Sequence, residues 1–140
     1  MDQVVLDTNI LVAALRSRRG ASFQLFALLG TGRFKSCVSV PLVLEYEAVL
    51  REHASALGLK GCDVDTLLNY VVSVSHHQEI FFLWRPRLRD PKDDMVLEVA
   101  VASEASHLVT HNVRDFADAA RFGLSVVTPG RYLRELGDIQ

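Results

Sequence analysis

Cysteine is scarce: Cys37 and Cys62 stand alone with no CxxC spacing, which leaves neither a disulfide framework nor a cysteine-based zinc site. A reducing compartment is the natural setting for such a chain. An excess of positive charge is also missing, since Lys+Arg 15 against Asp+Glu 17 gives a net charge of -2 and a pI near 6.2. No global basic field can therefore drive contact with a polyanion, and any such contact must come from local patches. No apolar run approaches the roughly 20 residues that cross a bilayer, and Asp2 and Asp7 stand where a secretory leader would be basic. The sequence thus predicts a cytoplasmic protein that meets no membrane. Neither GxxxxGK[ST] nor GxGxxG occurs, so phosphate-cradling nucleotide chemistry has no support.

What is present is ordinary globular material. The 140 residues, 49% hydrophobic and 23% charged, predict one domain (1–140) with one core and no linker, repeat or low-complexity tract. Gln3 to Leu6 reads as a buried strand that stops at the polar trio Asp7, Thr8 and Asn9. Ile10, Leu11, Ala14 and Leu15 then recur at helical spacing, with that trio available to cap the helix. A second helix is expected over about 21–29 and a second strand over 34–38. Ser39 and Pro41 open a third helix, whose buried face reads as Val43, Leu44, Ala48, Val49 and Leu50. Asp63 is placed to cap a helix running to about Val74, and residues 78–83 read as a third strand.

Residues 84–91 read as a charged, proline-punctuated loop, after which Asp93 or Asp94 is expected to open a helix. Residues 107–110 and 124–127 read as further strands, with a short helix at most over 116–122 between them. Thr128 followed by Pro129 marks the start of a last helix, to about Leu136. Strands alternating with helices imply a parallel sheet covered on both faces, an α/β/α sandwich of about five strands. In such sheets ligands bind beyond the carboxyl ends of the strands, where Asp7 and the loop after Thr110 both fall.

Acids recur at those ends: Asp7 after the first strand, Glu45 in the third helix, Asp94 opening the helix after the proline loop, and Asp115 after the fourth strand. Each has a plain alternative as a cap or a solvated charge. Together they would repel one another unless a cation neutralised them, and hard oxygen ligands suit Mg²⁺ or Mn²⁺, one ion or two.

Four segments carry a family resemblance. Val4-Val5-Leu6-Asp7-Thr8-Asn9-Ile10-Leu11 resembles the opening motif of PIN-domain ribonucleases, and Pro41-Leu42-Val43-Leu44-Glu45-Tyr46 resembles their second acidic motif. Asp90-Pro91-Lys92-Asp93-Asp94 and Leu108 to Phe116 resemble the third and fourth, in the same order along the chain. The match is most similar to the stand-alone, VapC-type toxins of prokaryotic toxin–antitoxin pairs. The resemblance implies Mg²⁺- or Mn²⁺-dependent RNA cleavage, a homodimer and a cognate antitoxin partner. It further implies catalytic metal ligands at Asp7, Glu45, Asp94 and Asp115, with Asp93 and Asp90 as rivals to Asp94. Thr8 and Asn9 match positions that orient Asp7, and Thr110 offers a hydroxyl to the site. Asn112 departs from the commonest pattern, which has an acid there, and this supports the alternative of a PIN-like scaffold that binds RNA or protein without cutting. Haloacid-dehalogenase phosphatases also open with an aspartate after a first strand, but they carry a second one where this chain has Asn9.

Arg16, Arg18 and Arg19 follow the first helix, and Arg85, Arg87 and Arg89 precede the third acidic motif. They read either as solvated loops or as contacts to RNA phosphates beside the acids. His107 and His111 span a strand and a loop, which makes a zinc pair improbable, and they read as surface or packing residues. Tyr46, Trp84 and Tyr132 could stack on bases, although core packing suits them better.

Overall fold

The computed structural model describes residues 1–80 and 91–137. Its centre is β1 (Asp2–Leu6), flanked by β2 (Phe34–Val38) on one side and β4 (His107–Val109) on the other, all parallel. A two-residue β3 (His76–His77) extends the sheet beyond β2, and β5 (Ser125–Val127) extends it beyond β4. The order β3-β2-β1-β4-β5 is that of a doubly wound sheet, in which the chain reverses its direction of winding next to β1.

The helices follow from what the strands bury. Side chains alternate along β1, so Val4 and Leu6 face one layer and Val5 the other. Val4 and Leu6 pack with Leu25 and Leu29 from the region of α2 (Ala21–Ala27) and with Tyr132 and Leu133 of α6 (Pro129–Leu136). Val5 packs with α3 (Val40–His53), α4 (Gly61–Val74) and α5 (Pro91–Ala102). Between the layers, α1 (Thr8–Arg16) sends Ile10 to the first and Leu11 and Val12 to the second. The three-layer parallel sandwich expected from the sequence is the observed fold.

Expected caps hold in detail. Ser39 Oγ accepts from the Leu42 N–H at 3.2 Å and Thr128 Oγ1 from the Arg131 N–H at 3.3 Å. Gly137, with φ of 80°, ends α6 in the left-handed conformation that glycine adopts without cost.

Five expectations need correction. Asp63 does not cap α4. The cap is Lys60, whose N–H donates to Asp63 Oδ2 at 2.7 Å, so Asp63 satisfies the helix start from inside its first turn. The buried residues of α3 are Leu42, Tyr46 and Leu50, whereas Leu44 and Ala48 are exposed. Tyr46 can be buried because its hydroxyl donates to the Leu6 carbonyl, and this sets the rotation of the helix. The third strand is His76–His77 instead of 78–83; residues 81–83 of that expectation lie outside the described residues, as do Trp84, Arg85, Arg87, Arg89 and Asp90. Helix α5 begins at Pro91, so Asp93 and Asp94 both lie within its first turn. Lastly, the segment after Asn112 is a 3₁₀ helix (Val113–Phe122) kinked at Phe116, which starts three residues before the short helix expected at most over 116–122.

Both cysteines are free thiols, Cys37 buried and Cys62 exposed. Among the described residues no helix is long and apolar enough to cross a membrane.

Candidate active site

Asp7 is where the argument about chemistry begins. It follows β1 directly, caps α1, and is 7% exposed. Its Oδ1 accepts from the Thr8 N–H at 2.8 Å and its Oδ2 from the Thr110 hydroxyl at 2.6 Å. Thr110 lies just past β4, so this bond bridges the carboxyl ends of the two strands at which the winding reverses. The Thr110 oxygen also accepts from the Asn112 N–H at 3.0 Å, and Asn9 Oδ1 accepts from the His111 N–H at 3.4 Å. The loop after β4 is thereby stitched to the loop after β1.

Burial pushes the Asp7 carboxyl above its ordinary value of 3.8, because the charged form loses its hydration. Bonds from Thr110 and the Thr8 N–H oppose the shift. The negative charge of Asp115 adds to it, and His111 acts the other way.

A cleft of about 460 Å³ opens over Asp7, and its walls hold Thr8, Asn9, Arg16, Glu45, His53, Lys92, Asp93, His111 and Asn112. Glu45 comes from α3, its side chain 12% exposed, and the Lys92 ammonium lies 3.7 Å from its Oε1. The structure therefore brings Asp7, Glu45, Thr8, Asn9 and Asn112 together as expected from the sequence. Asp94 is not among the residues that line the cleft. Asp93 lines the cleft, while Asp94 is 6% exposed and lies outside its walls, one helical turn before the equally buried Glu98. Asp115 is exposed in the 3₁₀ segment, near enough to Asp7 to act on it by charge but not part of the wall. Arg16 lines the cleft, and Arg18 and Arg19 are exposed beyond the end of α1.

Two histidines of the cleft were not among the site residues expected from the sequence. His53 lies in the last turn of α3, and His111 pairs through Nε2 with the Ser22 hydroxyl at 2.9 Å. Only the strand-end position of His111 pointed toward the site.

The donor set fits a hard divalent cation: carboxylates at Asp7, Glu45 and Asp93, and an amide at Asn112. A cation also answers the electrostatics, since Asp7 is buried as an acid and a positive Lys92 already rests against Glu45. Among the described residues, no three aspartate, glutamate, histidine or cysteine side chains close to the spacing that would grip one ion.

The fold and this cleft define a three-layer α/β/α protein with a carboxylate-lined site at the carboxyl edge of its sheet. The family model of the PIN domain matches residues 3–114, and the chain belongs to the PIN-domain family. Among solved structures, the fold is similar to a chain in the crystal structure of VapBC2 from Rickettsia felis bound to a DNA fragment from their promoter. That likeness has a TM-score of 0.60 and 17% identity, and it covers 89% of this chain and 98% of the other. No curated protein sequence matches.

Proposed function

We propose that the protein is a metal-dependent endoribonuclease and the toxin of a toxin–antitoxin pair. The observation that carries the reading is the gathering of Asp7, Glu45 and Asp93 on one cleft at the switch point of a PIN-domain sheet. Those three carboxylates would hold one or two Mg²⁺ or Mn²⁺ ions, with the Asn112 carbonyl as a further donor and Asp115 as a reserve of charge beside them. Asp93 replaces Asp94 in this set because it is the acid that faces the cleft. When bound, such an ion supplies Lewis-acid stabilisation of a phosphodiester and lowers the pKa of water.

The chain's own contribution is positional. Thr110 and the Thr8 N–H fix both oxygens of Asp7, so its lone pairs are aimed before any ligand arrives. Asn9 and Asn112 hold the loop after β4 against that carboxylate. Lys92, 3.7 Å from Glu45, balances its charge until a cation takes its place. No described side chain in the cleft is a serine, a cysteine or another covalent nucleophile paired with a base, which favours direct attack by water. RNA as substrate, an antitoxin as partner, a homodimer and a cytoplasmic setting follow from the likeness to VapC-type toxins. The complex nature of VapBC2 supports the antitoxin partner.

One observation favours a second reading, a scaffold that binds without cutting: the acids do not close on a single ion position. The deciding experiment is cleavage of a panel of end-labelled RNAs with Mn²⁺, Mg²⁺ or EDTA, for the protein and its Asp7→Asn variant. Metal-dependent cutting that vanishes in the variant is expected. Absence of cutting together with absence of Mn²⁺ binding by calorimetry would leave the scaffold.

A further inference from the structure

The acidic cleft does not end at its carboxylates. At Ala13, Arg16 and His111 it passes into a second hollow of about 360 Å³, walled by the start of α2 and the start of α6. The character of the lining changes at that junction. No carboxylate lines the second hollow, and its polar side chains are Arg16, Ser17, Ser22, His111 and Thr128.

We propose that this hollow is a phosphate subsite, which holds the phosphodiester of a neighbouring nucleotide while the acidic cleft addresses the bond to be cut. The proposal rests on the nuclease reading above and names how the substrate strand is held. A polynucleotide laid over Asp7, Glu45 and Asp93 is repelled by them, and a net charge of -2 offers no diffuse attraction in return. Affinity must come from a local contact of the opposite sign. Arg16 stands at the junction, in the walls of both hollows, where a guanidinium can present two parallel N–H donors to phosphate oxygens. His111 also belongs to both walls, and its ring is oriented by the bond of 2.9 Å to the buried Ser22 hydroxyl. Such contacts fix the register of a strand without reading its bases, so the subsite positions RNA and leaves sequence choice to other groups.

The test is fluorescence anisotropy of a short labelled single-stranded RNA in EDTA over a salt series, so that binding is read without cutting. Arg16→Met should weaken binding by about tenfold and lower the slope of log K against log salt by about 0.7, the value of one phosphate on a single strand. Arg16→Lys should restore the slope and only part of the affinity. Ser22→Ala, which frees the His111 ring, should weaken binding severalfold with the slope nearly unchanged. Arg16 is exposed in the last turn of α1, so its variants should melt as the parent does. Equal affinity and slope for the parent and Arg16→Met, or no binding of RNA by the parent, would overturn the subsite. A protein that cuts RNA while Arg16→Met changes nothing keeps the nuclease and loses the subsite. One whose binding depends on Arg16 but which never cuts keeps the subsite and loses the nuclease.

Discussion

Thr110 donates its hydroxyl to Asp7 Oδ2 across 2.6 Å, joining the carboxyl ends of β1 and β4 at the point where the sheet reverses its winding. Both residues are buried, Thr110 completely, and the same hydroxyl oxygen accepts the Asn112 N–H. One side chain thus aims the carboxylate and pins the loop that carries His111 and Asn112.

Thr110→Val keeps the shape and removes both bonds. The buried Asp7 oxygen loses its partner, at a cost of about 1–3 kcal/mol, while Asn112 is exposed and its N–H can turn to water. The urea midpoint should fall accordingly, and Thr110→Ser should recover most of it. A valine variant as stable as the parent would show that the hydroxyl organises nothing.

Asp93 and Asp94 should separate by function. Asp93→Asn removes a carboxylate from the cleft wall and should weaken Mn²⁺ binding by at least about tenfold in calorimetry, the 1.4 kcal/mol scale of one lost charged contact. Asp94→Asn changes a buried side chain outside that wall and should alter the melting temperature while leaving Mn²⁺ affinity in place. The reverse result would return the ligand role to Asp94.

That pair also marks how far the sequence reaches. Asp7 was legible because the apolar run Val4 to Leu6 has to stop, and the residue that stops a parallel strand lies on the binding edge. Ser39 and Thr128 were legible for a similar reason, since a hydroxyl before proline in a helical start has one good use. Neighbours in a first turn differ by about 100° around the helix axis, and which of Asp93 and Asp94 meets the cleft depends on how α5 docks. Spacing alone does not hold that information. The face of α3 was misjudged for a related cause: hydropathy favours Leu44 over Tyr46, but a tyrosine that finds the Leu6 carbonyl can be buried and leucine 44 left outside. His111 stayed hidden because its partner Ser22 is 89 positions away in the chain.

Tyr46→Phe tests the docking of α3. It deletes the hydroxyl given to the Leu6 carbonyl at the end of β1, and burial holds that phenol far above the ordinary tyrosine range, so it is a donor at every working pH. Stability should drop by about 1–2 kcal/mol with little change in the urea dependence. An unchanged midpoint would mean that the apolar contacts of Leu42 and Leu50 alone set the helix.

The sharpest expectation concerns Asp7 and pH. Its carboxyl is raised above 3.8 in the folded state, chiefly by burial, so the folded protein holds a proton that the unfolded chain has already released. The sign follows: stability from this group is complete below the unfolded value and is lost as pH rises through the folded one. In EDTA the parent should therefore lose stability relative to Asp7→Asn as pH rises from about 4 to 8, so that the variant is the more stable protein at pH 8. Added Mn²⁺ should raise the melting temperature of the parent and leave that of Asp7→Asn unmoved, because a ligand stabilises only the state that binds it. An Asp7→Asn variant less stable than the parent at pH 8 in EDTA would place the worth of Asp7 in its bonds to Thr8 and Thr110 and not in a charge held ready for a cation.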